Sequence, residues 1–319
     1  MAWRESAVEL ARARAERPVL APSPAGALFG VYTQPAPEAA ATGLCVVLFT
    51  RPRSHRNRMF VELARALAAR GFAAFRFDYH GTGDSEGASG FLDPGEPYRD
   101  DALAVIRHLR GALGQTLFVL VGSCFDARTA ISAFAGEAGA IAALAFLAAP
   151  VMELDTMVKA DADRKGLGHL GRALRNPENW RGLLRAERWR HMAAVVSRLA
   201  RRAVPAGEAA LPLSASFVEH FRALVRSRAR ALFLYGTEDA EYPSFQAAER
   251  QLFARLDAAT RARFETVVWP GRVHGFLEVE RQRETMQKLL EWIGALAPLS
   301  AAGRGGGAAS AQEASWTSA

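Results

Sequence analysis

The sequence predicts an α/β fold, a mostly parallel central sheet flanked by helices, and three observations carry that prediction. Short apolar runs alternate with segments of helical spacing along most of the chain. The runs are continuous rather than alternating in polarity, as in strands covered on both faces, with crossover helices joining parallel neighbours. The alternation stops once, between Pro150 and Arg230, and then resumes.

In chain order, a polar N-terminal stretch is followed by two short buried strands, Ala27–Thr33 and Leu44–Thr50. Arg58–Arg70 sets Phe60, Leu63, Leu67 and Ala68 on one helical stripe, and Gly71 stands where a helix stop belongs. Phe72–Phe77 is the next strand. Glu96–Arg110 repeats the helical pattern through Ala102, Val105, Ile106 and Leu109. The apolar strand Leu117–Val121 runs straight into Gly122-Ser123-Cys124-Phe125-Asp126 and a helix-like stretch, Ala127–Phe134. Ile141–Leu147, Ala231–Tyr235 and Glu265–Trp269 read as further strands, and a last helix covers Arg281–Ile293.

The interruption is helical and basic. In Trp180–Ala203, Leu184, Met192, Val195, Val196 and Leu199 fall on one side, while Arg181, Arg185, Arg188, Arg198, Arg201 and Arg202 lie largely elsewhere. This pattern predicts a helical cap, residues 151–229, inserted into a core made of 20–150 and 230–298. Residues 300–319, rich in Gly, Ala and Ser, are expected to be disordered.

Composition excludes several function classes. The 319 residues are 50% hydrophobic and 23% charged, an ordinary globular balance. No apolar run approaches the roughly 18–20 residues that span a bilayer. Arg4, Glu5 and Glu9 stand where a secretion signal needs an apolar core, so cytoplasmic residence is the expectation. Two cysteines, Cys45 and Cys124, exclude a disulfide scaffold. The formal charge of +7 is local: residues 159–228 carry 15 Lys+Arg against 6 Asp+Glu, which favours anionic partners near that segment or marks a solvated helical face. Cap helices explain its apolar stripe better than contact with nucleic acid does. Gly81-x-Gly83-x-x-x-Gly87 is not a dinucleotide fingerprint, and no phosphate-binding GxxxxGK[ST] occurs. The seven His and two Cys show no metal-ligand spacing, so neither cofactor nor metal is expected.

Chemistry concentrates at the strand ends. A strand turning sharply into a helix is the setting of a nucleophile elbow, Gly-x-nucleophile-x-Gly, and by register the central residue is Cys124. A thiol suits that place, because its ordinary pKa of about 8.5 falls beside a helix start or an imidazolium. Asp126 stands where the second Gly is expected. Gly236-Thr237-Glu238-Asp239 puts Asp239 in a loop after one strand, and His274 follows the last strand. The order nucleophile, acid, His places all three on one edge of a parallel sheet, where ligands collect.

On these residues the chain resembles the α/β-hydrolase superfamily over about residues 20–298, with the 150–230 interval in the place of the family's cap. Asp78-Tyr79-His80-Gly81-Thr82-Gly83-Asp84-Ser85 is similar to the family's Asp-x-x-Gly-x-Gly-x-Ser turn. Ser54-His55-Arg56 before the first helix resembles a bacterial branch that includes serine aminopeptidases and exosortase-associated hydrolases. A cysteine at the elbow is similar to dienelactone hydrolases and, in acyl transfer, to polyhydroxyalkanoate synthases. The resemblance implies Cys124 as nucleophile, His274 as its base and later acid, and Asp239 as the partner fixing the ring's tautomer. It implies an oxyanion hole from the backbone N–H of Phe125 and a second donor near Thr50-Arg51. That loop departs from the family pattern, since Arg51, Arg53 and Arg56 crowd it.

The expected reaction is hydrolysis of a small-molecule ester or thioester. Because an acyl-cysteine is itself a thioester, transfer to an alcohol or amine is an alternative, with CoA or acyl-carrier thioesters suiting a basic cap. A catalytically idle binding protein on the same fold is a further alternative, suggested by Asp126 and the altered loop. Elimination or C–C cleavage would use the same three residues.

Overall fold

The structure is a computed structural model that describes residues 16–87, 98–152 and 213–298. Eight strands form one sheet: β1 (Glu16–Ser23), β2 (Gly26–Thr33), β3 (Leu44–Phe49), β4 (Ala73–Phe77), β5 (Leu117–Ser123), β6 (Ile141–Leu147), β7 (Arg230–Gly236) and β8 (Phe264–Trp269). Their order across the sheet is β1-β2-β4-β3-β5-β6-β7-β8, and the strands from β4 through β8 in that order pair in parallel. β1 and β2 form an antiparallel hairpin that adds antiparallel to β4. The α/β prediction holds, and it extends to the α/β-hydrolase fold. β1 was hidden in the polar N-terminal stretch because it carries Pro18 and Pro22. Prolines cannot donate to a ladder, so a strand containing them is confined to a sheet edge, where this one lies.

Strand periodicity divides the core in two. In β3, Cys45, Val47 and Phe49 face one layer while Leu44, Val46 and Leu48 face the other. Helices α1 (Met59–Ala68) and α7 (Val279–Gly294) cover the second face through Met59, Phe60, Leu63, Leu67, Leu289 and Ile293. The first face is covered by α2 (Arg99–Leu113), α3 (Phe125–Glu137), α4 (Ala215–Arg226) and α5 (Tyr242–Gln251), with a short α6 (Ala258–Arg261) leading into β8. Both layers are apolar, so β3 and β6 read as unbroken apolar runs, whereas β4 carries Arg76, which pairs with Glu16 at 3.4 Å.

The Asp78–Ser85 turn is a clamp rather than a site. Asp78 accepts from the Arg53 backbone N–H at 3.0 Å and pairs with the Arg53 guanidinium. Ser85 donates to the Asp78 carbonyl at 2.6 Å and accepts from Phe29 N–H at 2.8 Å. The turn thereby ties the loop after β3 to the end of β4.

Between β6 and β7 the expected insertion begins and ends at a closed neck. Met152 pairs with Leu213 in an antiparallel bridge, and Ser214 N–H donates to the Val151 carbonyl at 2.9 Å. Arg128 of α3, only 2% exposed, donates to the Met152 carbonyl at 3.3 Å and to the hydroxyls of Ser214 and Ser216. Helix α4 falls in the interval expected to be cap, yet it packs its Phe217, Phe221 and Leu224 into the core layer of α3. Residues 153–212, which hold the basic helical pattern, and the 300–319 tail lie outside the described residues. No helix among the described residues is long and apolar enough to cross a membrane.

Candidate active site

Cys124 stands at the turn from β5 into α3 with φ 53° and ψ −127°. That region is costly for a residue with a Cβ, on the order of 1–3 kcal/mol, and persists only where the surroundings enforce it. Here its N–H donates to the Leu147 carbonyl at 2.8 Å and its carbonyl accepts from Ala127 N–H at 3.1 Å. Gly122 lets α3 approach: a Cβ there would lie 2.5 Å from Ala127 Cα and 2.6 Å from the Asp126 carbonyl oxygen. The thiol is partly exposed. Cys45, inside β3, is sealed, and burial pushes its thiol far above the ordinary range.

His274 lies in the loop after β8, and its ring meets Cys124 on one side. The other side corrects an expectation. Asp239 does not face the ring, because its carboxylate is taken by three backbone donors: Gly236 N–H at 2.7 Å, Val273 N–H at 2.9 Å and His274 N–H at 2.7 Å. The turn from Gly236 folds this short side chain back on the backbone. It fixes where the His loop sits, while Glu241 at the start of α5 reaches His274 Nδ1 with Oε1 at 2.8 Å. Glu241 is 2% exposed. Its sequence signal was a second acid in the same loop, two residues past Asp239 and just before a proline-bearing helix start.

The electrostatics tie the ring to both neighbours. Its hydrogen bond with Cys124, and then that with Glu241, push His274 up to about 10 against the opposing effect of burial. The ring thereby holds its proton more tightly than a free imidazole, with sulfur, ring nitrogen and carboxylate oxygen all within 4.8 Å of one another.

Phe125 is the first residue of α3, which puts its N–H at the open end of that helix, next to the sulfur. Arg51, in the loop after β3, sends its guanidinium to Asp126, Nε to Oδ1 3.4 Å, with the cation 5.3 Å over the Tyr98 ring. Asp126 thus fits the elbow by turning its side chain away to the Arg51 loop. Burial pushes the Asp126 carboxyl up to about 6 from 3.8, and the attraction of Arg51 only partly offsets this. The folded state holds that proton more tightly than the unfolded chain does. Its stabilising contribution is full below pH 3.8 and is lost as pH rises through about 6. Asp126→Asn should therefore gain up to roughly 3 kcal/mol of stability at pH 8 relative to pH 4. Denaturant melts of both proteins at the two pH values check this, and an equal difference at both would contradict it.

His55 was quoted in the sequence only as part of a motif, but it borders the site. Its Nε2 lies 3.4 Å from Ser123 Oγ, and the ring packs between Phe60 and Phe276 at 4.8 and 5.1 Å. Burial, then the charge of Arg56, push it down to about 4, so it is neutral there.

A family model described as serine aminopeptidase, S33, matches residues 41–282. No curated protein matches the chain. Among solved structures, a proline iminopeptidase from Mycobacterium smegmatis is similar at 16% identity and TM-score 0.54, covering 89% of this chain and 100% of its own. An α/β serine hydrolase without a lid from Xanthomonas campestris is similar at 16% identity and TM-score 0.53, covering 89% and 95%. A thermophilic esterase from Thermogutta terrifontis gives 16% identity and TM-score 0.52, covering 88% and 99%. At such identities the likeness concerns the fold.

Proposed function

The chain belongs to the serine aminopeptidase, S33, family of α/β-hydrolases, and on that premise we propose that it hydrolyses an ester or thioester by nucleophilic acyl transfer through Cys124. The observation that carries this reading is the convergence of Cys124, His274 and Glu241 from separate loops onto one place.

The sulfur attacks the substrate carbonyl carbon, and the oxygen that gains charge is met by the N–H of Phe125. The C–O or C–S bond to the leaving group then breaks, and the His274 proton passes to the departing alcohol or thiol. Glu241 accepts from Nδ1–H at 2.8 Å and compensates the charge of the ring while His274 moves the proton. Neutral His274 next takes a proton from water, which attacks the acyl-cysteine. The sulfur leaves, and the starting pair is restored. Asp239 enters as a positioning residue, through the backbone of the His loop.

The cysteine in place of the family's serine supports acyl transfer as a second outcome, because the intermediate keeps the energy of a thioester. Product analysis with an added alcohol or amine separates transfer from hydrolysis. CoA and acyl-carrier thioesters belong in the substrate panel on the charge of residues 159–228 alone. Intact mass after mixing with an activated acyl thioester tests the central step. Wild type should gain the acyl mass, and Cys124→Ala should not. Absence of any adduct on wild type, with ligand binding kept in Cys124→Ala, would overturn the reading in favour of an idle binding protein.

A further inference from the structure

We propose that Cys124, His274 and Glu241 also form a binding site for a borderline divalent transition-metal ion, Zn²⁺ foremost, and that its occupation switches the site off. Cys124 Sγ, a ring nitrogen of His274 and a carboxylate oxygen of Glu241 all lie within 4.8 Å of one another. A straight relay through the ring would set carboxylate and sulfur about 7 Å apart, two hydrogen bonds plus the imidazole. The three groups instead make a compact triangle. Around tetrahedral Zn²⁺, bonds of about 2.0–2.3 Å place ligand atoms roughly 3.3–3.7 Å from one another. The triangle must contract by roughly 1.1–1.5 Å at most along any edge, a change that rotations of the partly exposed Cys124 and His274 side chains can supply.

A second observation is independent of the triangle. Glu241 Oε2 is buried and makes no hydrogen bond, on a residue only 2% exposed. Unsatisfied buried carboxylate oxygens are rare, because each carries its desolvation penalty uncompensated. A cation held by this carboxylate together with the sulfur and the ring nitrogen would remove that penalty. Sulfur, nitrogen and oxygen together suit Zn²⁺ or Co²⁺ and not the hard cations Mg²⁺ and Ca²⁺. With three protein ligands, the fourth position is left to water. The spacing of these residues along the chain, 124, 241 and 274, carries no trace of the site, since each comes from a different strand end.

On binding, Sγ and the ring nitrogen each give a lone pair to the metal, and the proton they shared leaves to solvent. The sulfur can no longer attack a carbonyl, nor the ring move a proton. This inhibitory consequence rests on the nucleophile reading above, whereas the binding itself does not.

Adding Co²⁺ to the purified full-length protein tests the binding without turnover. A thiolate-to-cobalt charge-transfer band should appear at one ion per chain and be displaced by Zn²⁺. It should be lost in Cys124→Ala and kept in Cys45→Ala. Glu241→Gln should weaken binding by at least the roughly tenfold to hundredfold that even outer metal partners are worth. In parallel, ester turnover should fall in step with Zn²⁺ occupancy and return with a chelator. No band, or a band undiminished in Cys124→Ala, overturns the proposal. A band with these properties on a wild-type protein that forms no acyl adduct overturns the nucleophile reading and upholds the metal site.

Discussion

Cys124→Ala lowers kcat/KM on an activated short-chain ester by about 10⁴-fold or more, the scale on which a cooperating triad fails when its nucleophile is removed. The cause is chemical rather than structural, since alanine fits the turn that the Leu147 and Ala127 hydrogen bonds hold. The melting temperature should therefore hold while turnover disappears. Cys45→Ala supplies the contrast, because its sulfur lies inside β3 at 0% exposure and should leave turnover intact. Cys124→Ser keeps the geometry with a poorer nucleophile and should retain a residual rate. Steady-state kinetics on the three variants decide the matter. Should Ser123→Ala prove the lethal change, the elbow's register is off by one residue; Ser123 is only 7% exposed and its hydroxyl faces His55.

Glu241→Gln and Asp239→Asn should fail in different ways. Glutamine at 241 cannot serve as an anionic acceptor for Nδ1–H, so the ring loses both its tautomer and the partner of its positive charge. A fall in kcat of up to about 10⁴-fold follows, with the fold retained. Asparagine at 239 turns an NH₂ group toward backbone N–H donors that now bond to a carboxylate at 2.7–2.9 Å. Charge-assisted bonds of this kind are worth about 1.5–3 kcal/mol each. Losing part of the set should lower the melting temperature, with a kinetic loss that follows from a displaced His274. Thermal melts and kcat on the same two preparations separate the roles. A large kcat loss with an unchanged melt in Asp239→Asn, and little effect of Glu241→Gln, would return the acid's role to Asp239.

The sequence made the parallel core legible because two dry helical layers force strands such as Leu44–Phe49 and Ile141–Leu147 to be apolar on both faces. The elbow was legible because an apolar strand ran into Gly122-Ser123-Cys124 with no intervening loop. Helix α5 and the edge strand β1 were not, one because Tyr242–Gln251 is only half apolar and the other because of its prolines. The acid expected at Asp239 lies on the backbone of the His loop instead of on the ring for a reason of reach. Asp239 and Glu241 occupy one loop, and only the extra methylene and the start of α5 decide which carboxylate meets the imidazole. Spacing along a chain does not show which of two neighbouring acids a turn spends on its own backbone. The Arg51–Asp126 contact was hidden likewise, since it joins a loop to a helix start 75 positions further on.

Residues 152 and 213 meet beside one guanidinium, so the core fixes both junctions of the chain between β6 and β7 at a single place. Lengthening a connection between ends fixed in this way adds little closure entropy, so the core tolerates it without moving either strand.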